Sequence, residues 1–308
     1  MRIAIIDLGT NSLRFDVYDV YDDEDFSLIH REKFMIRLGD DVFTTGQISE
    51  KVMDRAMETF DLIKIYIKEM KIKETFAYAT SAMRTADNAK KFIKKVRKKI
   101  DVDIHIISGK EEAEKIALGI LGNEKLPANR CLLVDIGGGS TEISFIKEND
   151  IDWAFSMPVG SLRLKQLFFE DFYELGVKRR EKVIAAAKSH VQQVLEKTNQ
   201  HFDKQEIETV LGSSGTIKSI SRLIRKHYDQ LPPLSYQNIE LLLSKMTGMT
   251  YDEVIEMKGL EPKRRDLIIP GLVLFLCVLD YYGGTSVHTT RFALRDGLLV
   301  DVLQNQLY

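Results

Sequence analysis

Only two cysteines, Cys131 and Cys277, occur in the 308 residues. They stand far apart, with no Cys-x-x-Cys or Cys/His spacing, which excludes a disulfide framework and a cysteine zinc site and fits a reducing cytoplasm. An excess of charge is missing too. With 44 basic and 46 acidic residues the formal net charge is −2, so no global positive field points to a specific nucleic-acid partner. Long apolar runs are also lacking: the stretch at 267–279 is too short to span a bilayer and contains Pro270, which favours a buried helix. The opening MRIAIIDLG reaches Asp7 after a very short apolar run and has no signal-cleavage region. There is no P-loop and no Gly-x-Ser-x-Gly elbow, and the six histidines show no metal-ligand spacing. P-loop and Ser-His-Asp chemistry are therefore disfavoured.

What is present is the composition of a soluble globular chain, 44% hydrophobic and 29% charged. The length favours two α/β domains, 1–124 and 125–308, with the break in the polar, Pro127-containing segment 122–130. Residues 3–6 read as a buried strand, followed by the turn Asp7-Leu8-Gly9-Thr10-Asn11-Ser12 and a second strand over 13–20. The pattern recurs at 131–134, Asp135-Ile136-Gly137-Gly138-Gly139-Ser140-Thr141-Glu142 and 143–146. Two similar openings imply two similar domains. Helical spacing predicts a helix over 49–70, and Ser108 is placed to cap another running to about 121. The second half reads as more helical, with helices near 160–173, 178–200, 216–228, 236–247, 262–282 and 291–305 and strands at 153–157 and 210–211.

A turn rich in glycine and hydroxyl side chains can aim several backbone N–H groups at one point, an array that binds phosphate oxygens without a full positive charge. Both Asp-x-Gly turns have that make-up, and an acidic residue directly after each strand could hold a water or hydrated Mg²⁺ beside the phosphate. Taken singly, the turn at Asp7–Ser12 is equally well a tight hairpin and that at Gly137–Thr141 less so; the pair is harder to explain as such. Lys90, Lys91, Lys94, Lys95, Arg97, Lys98 and Lys99 crowd one stretch, and Lys263 to Arg265 another. A solvated helix face is the ordinary reading of each, a local polyanion surface the alternative.

The paired turns resemble the actin, hexokinase and heat-shock-chaperone superfamily. Further segments narrow the resemblance: Arg37-Leu38-Gly39, Ala79-Thr80-Ser81-Ala82-Met83-Arg84, Ser108-Gly109-x-Glu111-Glu112, Pro158-Val159-Gly160-Ser161-Leu162-Arg163, Gly212-Ser213-Ser214-Gly215-Thr216, Arg265-Asp266-x-x-x-Pro270-Gly271 and Leu294-Arg295-Asp296-Gly297. In this order they look like the exopolyphosphatase and guanosine pentaphosphate phosphohydrolase family, over essentially the whole chain. The resemblance implies two actin-like (ribonuclease H-like) domains with an interdomain cleft that closes on ligand. It implies water attack on a terminal phosphoryl group of polyphosphate or of a guanosine penta- or tetraphosphate. Glu112 is then the general base with Glu111 as alternate, and Arg84 the cationic clamp. Asp135 and Glu142 become holders of Mg²⁺ or Mn²⁺. Asp7, Gly9, Thr10, Asn11 and Ser12 face Gly137, Gly138, Gly139, Ser140 and Thr141 across the substrate. The Gly212–Thr216 loop either underlies a nucleotide base or only begins a helix, and Arg265 reaches a long polyanion or pairs with a nearby carboxylate.

Two departures stand out. Many relatives continue into a further helical domain, whereas this chain reads as the short form ending at Tyr308, which gives weight to short-chain or nucleotide substrates. An aliphatic run usually follows the Asn-Ser pair, but here Asp16 sits in it, expected to point away from the core. The rivals are a sensor of the same polyanions with little turnover, and an actin-like kinase or ATPase. No membrane partner is indicated, and the helical C-terminal half is compatible with a homodimer.

Overall fold

A computed structural model describes residues 1–21, 25–199 and 206–305. By internal contacts the chain divides into one unit of Met1–Gly122 with Leu294–Tyr308 and another of Asn123–Ala293.

The first unit starts with β1 (Arg2–Leu8), β2 (Leu13–Val20) and β3 (Phe26–Phe34). There follow α1 (Val42–Thr45), α2 (Glu50–Glu69), β4 (Glu74–Ala79), α3 (Ser81–Thr85), α4 (Ala89–Ile100), β5 (Ile104–Ile106) and α5 (Gly109–Leu121). The strands form one sheet in the order β3-β2-β1-β4-β5, antiparallel on the β2–β3 side and parallel from β1 through β4 to β5. Period-two alternation assigns the faces: Ala4, Ile6, Leu8, Leu13, Phe15 and Val17 join the apolar core beneath α2 and α4. On α2 the buried positions are Val52, Met53, Ala56, Thr59, Phe60 and Ile63, a helical stripe that confirms the predicted element. β3 had no sequence signal, because His30-Arg31-Glu32-Lys33 breaks any apolar alternation. Such polarity suits an edge strand.

The second unit comprises β6 (Arg130–Ile136), β7 (Thr141–Lys147), β8 (Asp150–Met157), α6 (Ser161–Phe168), α7 (Val177–Thr198), β9 (Thr209–Gly212) and α8 (Ser214–Tyr228). It continues with β10 (Leu234–Ser235), α9 (Tyr236–Gly248), α10 (Tyr251–Ile255), α11 (Ile268–Tyr282) and β11 (Ser286–Thr289). The sheet order is β10-β11-β9-β6-β7-β8, with β6, β9 and β11 parallel. Its core is built around α11, of which thirteen of fifteen residues are buried. The helix expected over 262–282 begins only at Ile268, after a 3₁₀ turn at Pro262–Arg264. Residue 200, the end of the helix expected over 178–200, lies outside the described residues. No described helix is long and apolar enough to cross a membrane.

The last helix, α12 (Leu294–Asn305), departs from the expected boundaries, which put everything after 125 in the second domain. It packs on α5 and β1 of the first unit. Gly297 makes this fit possible: a Cβ there would stand 1.7 Å from the Lys115 carbonyl oxygen, so the helix backbones meet directly. Lys115 Nζ then reaches Asp301 Oδ2 at 2.8 Å. Asp16, expected to turn from the core, does leave the α2/α4 side but is 1% exposed. Its Oδ2 accepts from Arg31 at 2.7 and 3.0 Å and from the Tyr18 hydroxyl at 3.2 Å, with Arg295 of α12 3.8 Å away. Gly297→Ala should lower stability by about 1–3 kcal/mol through this overpacking; urea unfolding measures it, and an unchanged midpoint would contradict the close helix contact.

Candidate active site

In the first unit, Leu8, Ala79 and Ile106 are register neighbours, so the segments that follow β1, β4 and β5 all leave from the same carboxyl edge of the sheet. That edge is where open α/β sheets bind ligands. It collects the turn Gly9–Ser12, then Thr80 to Arg84, then Ile107 to Glu112.

The Gly9–Ser12 turn is closed by Gly9 N–H donating to Ser12 O at 3.0 Å. Two of its carbonyls are engaged from outside, Thr10 O by Gly39 N–H at 3.0 Å and Asn11 O by Arg37 N–H at 2.9 Å. The motif Arg37-Leu38-Gly39 is thus the brace of the turn. The N–H groups of Thr10 and Asn11 have no hydrogen-bond partner among the described residues. Asp7 lies directly opposite Arg14 in the β1–β2 register and pairs with its guanidinium. The pairing of this buried carboxylate with Arg14 offsets its repulsion of an anion and leaves it poorly suited to hold a metal. Arg14 was not foreseen as a site residue; its position two residues after the turn was the available signal.

Arg84 and Glu112 meet across the β4 and β5 ends. Arg84 Nη1 donates to Glu112 Oε2 at 2.7 Å and to Ile107 O at 3.1 Å, and Glu112 is 7% exposed. A buried carboxylate held by a guanidinium is oriented and kept from collapsing onto other donors. Glu111, its neighbour, turns outward and has another task. Its Oε2 accepts from Ser108 N–H at 2.7 Å while Ser108 Oγ accepts from Glu111 N–H, a complete capping box at the start of α5. The hydrogen bonds from Ser108 hold the Glu111 carboxyl below its ordinary pKa.

The second unit repeats the design with different partners. Gly137 N–H donates to Ser140 O at 3.0 Å, closing the turn after β6. The carbonyls of Gly137 and Gly138 accept from Ser161, Leu162 and Arg163 N–H at 2.9–3.0 Å, and Gly139 O accepts from Arg163 Nε at 3.1 Å. The start of α6 is therefore consumed in holding the turn. Gly160 lets it approach, since a Cβ there would lie 2.5 Å from Gly138. Thr141 Oγ1 donates to Val159 O at 2.7 Å. Among the described residues the N–H groups of Gly138 and Gly139 have no partner, as in the first turn.

Across this hairpin the register opposes two carboxylates, Asp135 and Glu142, where the first unit opposes Asp7 and Arg14. Side chains so placed lie about 5 Å apart at Cβ, and like charges there are destabilising without a bridging cation or proton. Glu142 is buried and accepts from Ser156 Oγ at 2.7 Å. The pair fits a divalent cation that takes its remaining ligands from water or phosphate; no group of three or more His, Cys, Asp or Glu suited to a metal occurs among the described residues.

Gly212 to Thr216 begins α8. Ser214, with φ of 76°, accepts from the N–H groups of Thr216 and Ile217 at 3.2 and 3.3 Å, which supports the helix-start alternative. Ser213 Oγ donates to Phe292 O at 2.8 Å. Arg264 lies over this loop, with Nη1 3.5 Å from Thr216 Oγ1 and its guanidinium against Gly215. Arg265 instead lines a cavity of about 260 Å³ with Lys165, Phe169, Tyr173, Tyr251, Asp266 and Pro270. Its Nε and the Tyr173 hydroxyl are buried without a hydrogen-bond partner among the described residues. Burial pushes the Tyr173 phenol up, so it remains a donor.

The family model described as the Ppx/GppA phosphatase family matches residues 17–306. A bifunctional 3-dehydroquinate synthase/phosphatase of Fusobacterium nucleatum is 29% identical over 98% of this chain. The match covers 47% of that protein, so the chain spans about half its length. Exopolyphosphatase 1 of Mycobacterium tuberculosis is 24% identical, over 99% of this chain and 89% of its own. A guanosine-5'-triphosphate,3'-diphosphate pyrophosphatase of Photobacterium profundum is 26% identical over 97% of this chain and 59% of that one. Among solved structures, an exopolyphosphatase from Cytophaga hutchinsonii superposes with a TM-score of 0.85 at 26% identity, covering 98% of both chains. The fold is accordingly the expected two-domain α/β architecture with a more helical second half.

The capping box yields a prediction with a defined sign. Glu111→Ala should cost about 0.3–1.5 kcal/mol at pH 7. Because the folded-state pKa is depressed, that difference is present above the ordinary carboxylate value near ~4.3 and fades as pH falls through the folded one. Urea unfolding of parent and variant across pH 3–7 tests it; a difference that does not shrink in acid would remove the carboxylate from the cap.

Proposed function

The chain belongs to the Ppx/GppA phosphatase family, and from that premise we propose that it releases terminal phosphate from inorganic polyphosphate or guanosine pentaphosphate by water attack. The observation that carries this reading is the Arg84–Glu112 pair at the carboxyl edge beside a turn whose Thr10 and Asn11 amides have no partner among the described residues. Glu112 orients the attacking water and accepts its proton. Arg84 holds that carboxylate in place and offers further N–H donors to phosphate oxygens. Thr10, Asn11, Gly138 and Gly139 supply amide N–H groups to phosphate, with Ser12, Ser140 and Thr141 completing the two turns. Asp135 and Glu142 would hold Mg²⁺ or Mn²⁺, whose charge would offset that of the phosphate. The substrate is recognised mainly through its phosphates, since a loose phosphoryl transition state asks for an aligned water and stabilised equatorial oxygens.

A guanosine substrate is favoured by one separate feature, the aromatic cavity of the second unit. Tyr173 and Tyr251 stand 5.1 Å apart as tilted rings, with the unpartnered Arg265 Nε and Tyr173 hydroxyl inside. A planar base could stack there while its acceptors satisfy both donors. Localisation in the cytoplasm and a homodimeric state complete the reading.

Glu112→Gln should lower phosphate release about 10²–10⁴-fold with substrate affinity retained, because the amide cannot take the proton. Calorimetric binding beside a phosphate-release assay decides it, and near-normal turnover would remove Glu112 from the base role. Chelation of divalent cations should abolish release and their return restore it. Arg265→Ala should raise KM for guanosine pentaphosphate while leaving triphosphate hydrolysis unchanged; equal effects on both would detach the cavity from base recognition.

A further inference from the structure

Seven cations crowd α4, and the structure sorts them into two sets. Lys91 and Lys95 reach Glu50 at 2.6 and 3.1 Å, Lys99 reaches Asp61 at 2.5 Å, and Arg97 reaches Asp103 at 3.2 Å. Lys90, Lys94 and Lys98 have no ion pair or hydrogen bond among the described residues, and all three are exposed. Their spacing of four residues puts them on one stripe, about 6 Å apart along the axis and about 12 Å from first to last. The buried residues of α4 are Ala89, Phe92, Val96 and Ile100, which occupy the opposite side. Nothing in the fold of the helix requires lysine at the three stripe positions.

The direction of α4 gives the stripe its meaning. The segment β4-α3-α4-β5 is a parallel crossover, so α4 starts near the carboxyl edge, shortly after Arg84, and runs back along the sheet. Lys90 is thus the stripe residue nearest Arg84, and Lys98 the farthest. A linear polyanion with one end at Arg84 and Glu112 has a row of unneutralised ammonium groups along which to continue. We propose that Lys90, Lys94 and Lys98 form an accessory binding track for the distal part of long-chain polyphosphate, which makes affinity depend on chain length. The proposal rests on the hydrolase reading above for its occupant. Charge complementarity selects that occupant: the stripe is purely cationic and offers no aromatic face for bases and no apolar surface for a protein partner.

The test compares long-chain polyphosphate with triphosphate, which is too short to reach from the edge along the stripe. A Lys90→Gln/Lys94→Gln/Lys98→Gln variant should show KM for the long chain raised about tenfold at low salt, with kcat unchanged. The slope of log(1/KM) against log salt should fall by about 2, at about 0.7 per lost phosphate contact. KM for triphosphate should not move. A Lys91→Gln/Lys95→Gln/Lys99→Gln variant removes the same charge from the paired positions and should change the long-chain KM much less. An unchanged long-chain KM and slope in the first variant, or equal effects of the two variants, overturns the track. If the parent hydrolyses triphosphate but not long chains, the track is also wrong while the hydrolase reading stands. If it hydrolyses neither, that reading fails, and the track is judged by direct calorimetric binding of long-chain polyphosphate, where equal affinity of parent and stripe variant overturns it.

Discussion

A backbone amide can serve an anion only while the carbonyl groups beside it are turned away and held there. Both hairpin turns satisfy that constraint, by different means. In the first unit the brace is the turn that begins at Arg37 and includes Gly39; in the second it is the opening turn of α6. The amides of Thr10, Asn11, Gly138 and Gly139 have no partner among the described residues, while the carbonyls of Thr10, Asn11, Gly137, Gly138 and Gly139 are engaged by the braces. Helix α6 illustrates the cost of the arrangement: its own N-terminal donors, which could have met an anion directly, are used to shape the turn.

Charge placement separates the two halves. The same hairpin register opposes an arginine to the first aspartate and a glutamate to the second. One pair joins a carboxylate to a guanidinium and the other sets two carboxyl groups side by side. Two copies of one supersecondary unit thus differ in charge through a single position on the second strand, Arg14 in one and Glu142 in the other.

Much of this was legible in the residues. The two turns, the Ser108 cap, α2 and the paired openings follow from short-range pattern, which the chain states openly. Glu112 and Arg84 were legible through resemblance, but their 2.7 Å contact spans 28 positions in the chain and needed the parallel strands to bring it about. That Arg264 meets the Gly215 loop while Arg265 lines the cavity turns on which way a 3₁₀ segment faces, and adjacent arginines carry no signal of that. The edge strand β3 was invisible because its polarity, useful at an edge, erases the alternation by which strands are recognised. Asp16 read as a residue turned from the core; that it is buried there, with Arg295 of a helix almost 280 residues later among its neighbours, had no local signal.

That late helix changes the order in which the molecule can be assembled. The chain leaves the first unit at Gly122 and returns to it at Leu294, so the second unit is an insertion within the first. During synthesis the sheet of the first unit is complete long before α12 exists, with Asp16 and the α5 surface around Lys115 still uncovered. At about 5–20 residues per second, the intervening segment keeps that face waiting for roughly 10–35 s. The unit made first is therefore the one finished last, and a nascent chain must keep its β1–β2 face from other partners until its own final helix emerges.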